Sequence, residues 1–375
     1  MLECLAAKRG TGVRILAIDI GTGTQDILLF DSADAIENSV KLVAPSPTMR
    51  VAGRIRAATE SRRPIVLVGV TMGGGPSTWA LRQHLEAGLA VYATPDAART
   101  FDDDLEVVTG WGVRIVGEDE AARVEGAARI ELRDLDLAAL RSAFVALGID
   151  PRVDGLALAC LDHGAAPSGY SDRLFRFEHV RRVVLERNDL LAFAYRPAEI
   201  PAYLTRARAL LQSAGSDLPS VFLDTAPAAA LGALQDPVVA AAERQVVINV
   251  GNSHSLAFHL RGTSIYGFFE HHTELLARED VESLTERLVA GSLTQTEVFD
   301  GNGHGVFYAA PSPSSDMPTV AVTGPQRRML AGSRLRPHFA TPHGDMMLSG
   351  CFGLLRAFAA KYPSFAAEIQ TALAE

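Results

Sequence analysis

The sequence is short of cysteine: Cys4, Cys160 and Cys351 are its whole complement. An odd number of thiols standing more than 150 residues apart excludes a disulfide framework and any iron–sulfur or zinc spacing built on cysteine, and it suits a reducing compartment. Basic charge is scarce too. The 35 Lys and Arg against 44 Asp and Glu leave a formal charge of -9, the wrong sign for a protein that grips a phosphate backbone with clustered cations. The pairs Arg181-Arg182 and Arg327-Arg328 are too short to alter that. No apolar run approaches the roughly 18–20 residues of a membrane span, and the opening MLECLAAKRG has no apolar core between its charges and a cleavage site. The expectation is a cytoplasmic protein without a nucleic-acid or membrane partner. With 48% hydrophobic and 21% charged residues over 375 positions, there is apolar material for two ordinary domains.

What is present repeats itself. VRILAIDIGTGTQDILLFD, residues 13–31, sets two apolar β-type runs on either side of a Gly/Thr turn, which predicts a hairpin. VVINVGNSHSLAFHL, residues 246–260, follows the same plan, with Gly251 and small polar residues between an apolar run and the alternation Leu256, Phe258, Leu260. Two such hairpins about 230 residues apart point to an internal duplication. Between them IVLVGV (65–70), LALAC (156–160) and SVFL (220–223) alternate with helical patterns over 77–87 and 198–214, which reads as the buried strands of an α/β sheet. PSPT at 45–48 and PSPSSDMP at 311–318 read as loops.

Asp19 ends the first apolar strand, where a carboxylate is costly unless a cation or several donors compensate it; a bound metal would serve. In the following turn, Gly21-Thr22-Gly23-Thr24, two residues lack a Cβ, so backbone N–H groups can close on a phosphate while the threonine hydroxyls add donors. Gly251, Asn252 and Ser253 offer the same arrangement in the second hairpin. Either turn alone is also an ordinary glycine-rich hairpin; two facing each other would clamp a phosphate chain. SVFLDTAPAAALGAL (220–234) and GDMMLSGCFGLLRAF (344–358) are so rich in Ala and Gly that their helices could cross closely and act as a hinge.

Taken in order, these segments resemble the five-part signature of the actin, sugar-kinase and heat-shock-chaperone superfamily. Phosphate hairpin one lies at 15–30, connecting helix one at about 224–234, phosphate hairpin two at 246–258, an adenosine loop VAVTGPQRRML at 320–330, and connecting helix two at 346–358. The resemblance implies an α/β chain with a duplicated ribonuclease-H-like fold, two lobes around a cleft holding ATP and Mg2+. The first lobe would span 13–234 with an insertion and be closed by a C-terminal helix, 346–375; the second, smaller one would span 245–345. The nucleotide would be held by Gly21, Thr22, Gly23, Thr24, Gly251, Asn252, Ser253 and the loop residues Thr323, Gly324 and Pro325, with Asp19 as the magnesium residue. Asp19 and Asp224 become catalytic candidates, although Asp224 meets the acidic position heading connecting helix one only with a one-residue offset. Asn249 stands where the superfamily commonly carries Asp, and an amide neither acts as a base nor neutralises a metal. Within the superfamily the sequence is most similar to a prokaryotic group labelled pyruvate formate-lyase activating protein-like. Activation of that kind needs three closely spaced cysteines around an iron–sulfur cluster, which the spacing here does not provide.

Several features could define a substrate. TMGGGPST (71–78) follows a predicted strand and opens a helix, where Gly73, Gly74 and Gly75 could present N–H groups to an anion, or simply form a tight turn with Ser77 or Thr78 as helix cap. Histidines gather late, at 254, 259, 271, 272, 304, 338 and 343, at turn and cleft positions that suit metal ligation or proton transfer, but in no recognised metal motif. His254, in the second phosphate hairpin, is the third catalytic candidate. His343 beside Asp345, and Asp162-His163 after LALAC, are substrate-side candidates. Asp102-Asp103-Asp104 reads as a solvated loop or helix start.

Three expectations follow. The leading one is an ATP-dependent phosphotransferase or ATPase acting on an unidentified small molecule. The alternatives are a nucleotide-responsive binding protein without turnover, suggested by Asn249, and a metal-dependent hydrolase on the same scaffold, suggested by the late histidines.

Overall fold

The computed structural model describes residues 12–215, 217–314 and 316–374. Strand β1 (Arg14–Ile20) is buried along nearly its whole length, as an unbroken apolar run requires when both faces of a sheet are covered. It turns back into β2 (Thr24–Asp31), which pairs antiparallel with β3 (Val40–Pro45). The chain then leaves this sheet and builds a separate parallel one from β4 (Ile65–Gly69), β5 (Val91–Ala93), β6 (Val113–Ile115) and β7 (Ala128–Leu132), in the order β6-β5-β4-β7. It returns with β8 (Gly155–Cys160), β9 (Ala194–Tyr195) and β10 (Ser220–Asp224), which complete the first sheet as β3-β2-β1-β8-β10-β9.

The second half repeats the scheme. Strands β11 (Gln245–Val250), β12 (His254–Arg261) and β13 (Ser264–His272) form an antiparallel meander that β14 (Gly305–Tyr308) extends. On the other side of β11 come β15 (Thr319–Thr323) and β16 (His338–Phe339), both parallel, giving β14-β13-β12-β11-β15-β16. Leaving aside the outer strands β9 and β14, each sheet is a three-stranded meander whose first strand is flanked by two parallel strands. That is the ribonuclease-H-like order, present twice, and it is the expected fold.

Three local expectations need correction. IVLVGV is a buried strand, but of the separate sheet, where Val51, Ile55, Leu81, Val108 and Ile130 enclose it in a core of its own. A short apolar run between helices reads alike in any parallel sheet, so the sequence could not assign it. The helix expected over 198–214 is a single 3-10 turn, Pro197–Glu199, and a shorter helix, Thr205–Ala214. Pro201 lies in the break, where its ring and missing N–H oppose continuation. Connecting helix two begins at Ser349, three residues later than expected.

The two connecting helices, Thr225–Ala233 and Ser349–Lys361, are buried almost throughout. They cross with backbone against backbone: a Cβ on Gly232 would collide with the Ser349 carbonyl, and one on Gly353 with the Ala228 carbonyl. Around this crossing a single apolar cluster joins Ala17 and Val221 of the first sheet to Val247 and Ala321 of the second. Among the described residues no helix is long and apolar enough to cross a membrane.

Candidate functional site

The two glycine turns meet. Each is closed by the same bond, Gly21 N–H donating to the Thr24 carbonyl at 2.9 Å and Gly251 N–H to the His254 carbonyl at 3.0 Å. Gly23 lies so near Asn252 that a Cβ there would strike its side-chain amide. On one side of the paired turns is a cavity of about 90 Å3 lined by Gly21, Thr22, Thr24, Gly251, Asn252, Thr323, Gly324 and Pro325, together with Asp19, Thr225, Asn249 and Gly350. Thr323, Gly324 and Pro325, expected from the sequence to form an adenosine loop, are therefore at this cavity. Gly324 has φ +96, and a Cβ there would meet the Val250 carbonyl and the Asn249 amide oxygen, so only glycine lets the loop lie against β11.

Asp19 and Asp26 dominate the chemistry of this cavity. They are direct partners in the β1/β2 register, and among the described residues no Lys or Arg lines the cavity with them. Burial pushes the Asp19 carboxyl up to about 6, against the Thr225 hydroxyl that donates to it at 2.9 Å. Burial, reinforced by the charge of Asp19, pushes Asp26 up to about 8, and one of its carboxylate oxygens is buried without a partner. Two carboxylates in this condition gain from a cation. With the hydroxyls of Thr24 and Thr225 and the amide oxygen of Asn249 nearby, the donor set is all oxygen, which fits Mg2+ rather than a softer metal.

Asp224 does not join them. Its carboxylate caps connecting helix one at Ala226 N–H and pairs with Arg176 at 2.8 Å; Thr225, one residue on, takes the place at the cavity. The one-residue offset seen in the sequence is real, and it turns Asp224 away into an ion pair.

A larger cavity, about 460 Å3, lies on the other side of the turns and is lined by Gly21 and Thr22 of one and Ser253 and His254 of the other. Gly73, Gly74, Gly75, Asp162 and His163 line it as well. The helix Pro76–Glu86 has Gly75 as N-cap, with φ 53 and no side-chain cap, so neither Ser77 nor Thr78 plays that part. Ser77 instead donates to the Gly74 carbonyl at 2.9 Å. The Asp162 carboxylate is occupied by the N–H groups of Gly164 and Ala207 at 2.8 and 2.9 Å and serves the backbone. His343 and Asp345 line neither cavity: the His343 ring packs on Phe352 at 4.7 Å, and Asp345 accepts from Met347 N–H. In the acidic triplet only Asp104 acts as a helix cap. Asp102 and Asp103 face the large cavity, and burial raises Asp103 to about 6.

At one end of this cavity four imidazoles gather. His163, His254 and His304 can each offer a nitrogen within 4.8 Å of the others, and the His272 ring lies 4.9 Å from that of His254. His163, beyond β8, comes from the first half of the chain and the other three from the second. Burial lowers His254 to about 4, and burial with the neighbouring imidazoles holds His163 and His304 well below the usual range, so all three are neutral near pH 7. Beside them Arg176 is fully buried, reaching Glu270 at 2.8 Å and Asp224 at 2.8 Å.

Sequence reasoning missed Asp26, Arg176, Thr225 and Glu270. Asp26 was recoverable, because the four-residue turn Gly21–Thr24 with Ile20 opposite Gln25 puts Asp19 opposite Asp26. Arg176 and Glu270 are separated by 94 residues and left no local signal.

The duplicated sheets define a protein with the actin-like ATPase fold. The chain belongs to the DUF1786 family, which carries "pyruvate format-lyase activating enzyme" as a provisional label and whose profile matches residues 72–329. The iron–sulfur chemistry of that label does not fit the thiols present: Cys160 and Cys351 are buried, free, and on separate elements, and burial raises both well above the ordinary thiol range. Cys4 lies outside the described residues. No protein of curated function matches the sequence. Among solved structures, ethanolamine utilization protein EutJ from Carboxydothermus hydrogenoformans is similar at 11% identity and TM-score 0.32, covering 92% of this chain and 88% of its own. The ROK hexokinase from Thermus thermophilus is similar at 14% identity and TM-score 0.32, covering 94% and 100%. An exopolyphosphatase from Cytophaga hutchinsonii gives 10% identity and TM-score 0.30, covering 83% and 66%. The fold assignment rests on the duplicated sheets themselves.

Proposed function

We propose that this protein binds a magnesium–ATP complex between its lobes and uses it, by phosphoryl transfer or hydrolysis, on a small molecule held in the larger cavity. The observation that carries this reading is that the two glycine turns form one wall shared by both cavities. Phosphates gripped by the turns from the smaller side would present their terminal group to whatever occupies the larger side.

Asp19 and Asp26 would hold the magnesium, with Thr24 and Thr225 as neutral oxygen donors. The ion would supply charge neutralisation for the phosphates, which the cavity lining does not offer for itself. The chain's own part is positioning: backbone N–H groups of the turns orient the phosphates, and Gly324 keeps the purine side of the cleft open to close approach. At about 90 Å3 the smaller cavity is below the roughly 300 Å3 of a small-molecule pocket. Entry therefore requires the lobes to part about the crossing of the two connecting helices, and closure over the nucleotide would exclude water.

Titration calorimetry with ATP, with and without Mg2+, tests the reading. Binding in the micromolar to millimolar range that disappears without Mg2+ is expected, because among the described residues no cationic side chain lines the cavity. Absence of heat with Mg-ATP at millimolar concentration sinks it.

A further inference from the structure

A second site stands on different residues. His163 Nε2 and His304 Nε2 approach to 3.3 Å, and the ring centroids of His254 lie 5.4 Å from His163 and 5.1 Å from His304. Two imidazole nitrogens on one tetrahedral ion, each at about 2.0–2.1 Å, stand roughly 3.3–3.4 Å apart, so the observed spacing already suits a shared metal. A hydrogen bond could account for that one contact, but it leaves His254 Nε2, which is buried and has no hydrogen-bond partner among the described residues. We propose that His163, His254 and His304 bind a divalent transition metal ion, Zn2+ in first place, at the end of the 460 Å3 cavity.

The choice of metal follows from the donors. Three imidazoles favour zinc and its neighbours over Mg2+ or Ca2+, which prefer oxygen. The carboxylate of Glu270 is 3.9 Å from His304 Nε2 and is already committed to Arg176 through both oxygens, at 2.8 and 3.1 Å. It therefore acts behind the cluster and leaves the ion with three protein ligands. Three ligands and an open position distinguish catalytic zinc sites from closed structural ones. The opening is on the correct side: His163 and His254 line the cavity, while His304 is fully buried beneath them. The remaining coordination position then belongs to water or to a donor atom of the molecule occupying the cavity. Since His163 comes from one half of the chain and His254 and His304 from the other, the ion would also bridge the lobes. The proposal is independent of nucleotide binding and survives if that reading fails.

The test uses the full chain, stripped with chelator and titrated with Zn2+ or Co2+, following metal content after desalting, the visible absorption of bound Co2+, and the melting temperature. The wild type is expected to take up one equivalent, to show the intense absorption of low-coordinate Co2+, and to melt at higher temperature with metal than without. H163A and H254A, both at the cavity surface of the cluster, should bind at least tenfold more weakly, and H343A, outside it, should bind as the wild type does. Failure of the wild type to retain metal, with no shift in melting at micromolar Zn2+, overturns the proposal whether or not the variants fold. Undiminished binding in the folded H163A/H254A double variant overturns it equally.

Discussion

Asp19 and Asp26 face one another across the first glycine turn as direct cross-strand partners, both lining the smaller cavity. Their carboxyls are raised to about 6 and about 8, chiefly by burial. In the unfolded chain both titrate near the ordinary value of about 3.9, so between these limits the folded state binds more protons. The stability these two groups contribute therefore falls as pH rises from about 4 through the two folded values, and is flat above them. The buried neutral histidines contribute in the opposite sense below about pH 7, so metal-free wild type should lose stability between pH 6 and pH 8.5 relative to Asp26→Asn, which shares those histidines. Asp26→Asn should flatten that slope, raise stability at pH 8.5 by roughly 2 kcal/mol, and weaken Mg-ATP binding. Calorimetric melts across the pH range check this; a slope unchanged in Asp26→Asn would show that the pair is not under the strain described.

Arg176 joins the lobes by charge. It holds Asp224 of the first sheet and Glu270 of the second, all three buried. Arg176→Ala leaves two carboxylates without their counterion, a change that costs about 3–5 kcal/mol in comparable buried pairs. Denaturant unfolding should show a loss of that size, and Arg176→Ala with both carboxylates also replaced, Asp224→Asn and Glu270→Gln, should recover much of it. A single variant within 1 kcal/mol of wild type would mean that the triad is solvated in solution.

The helix crossing admits no side chain at Gly232. Gly232→Ala drives a Cβ into the Ser349 carbonyl, and overpacking of this kind costs roughly 1–3 kcal/mol, sometimes more. Because the same crossing is the proposed hinge, the variant should lose nucleotide affinity along with stability. Melting temperature and calorimetric affinity, measured on one preparation, separate the two effects.

Asn249→Asp adds a third carboxylate beside Asp19 and Asp26. The nucleotide-free protein should become less stable above neutral pH, and its affinity for Mg2+ should rise. If the amide is what limits turnover, phosphate release from Mg-ATP should increase at least tenfold; tight binding with no turnover in either form would favour a nucleotide sensor.

The duplication was legible because each glycine turn carries its own flanking strands within about 20 residues, where local pattern decides the structure. The position of Asp19, Gly21, Gly251 and Gly324 at or beside these turns was legible for the same reason. The inserted sheet was not, since IVLVGV carries no mark of which sheet it joins. Asp224 was misassigned because a strand ending one residue earlier or later sends a side chain to the opposite face, and a sequence fixes strand ends less sharply than that. The imidazole cluster needed the fold: His163 and His304 are 141 residues apart and meet only when the two sheets dock.

The Arg176 bridge ties the duplicated halves to one another. They are copies in topology, but each contributes one acid to a guanidinium that neither could bury with full compensation by itself. Severed and produced separately, the halves would each display ionised groups suited only to the other's interior. The repeated halves are thus mutually dependent, and the smallest cooperative unit of this protein is the docked pair.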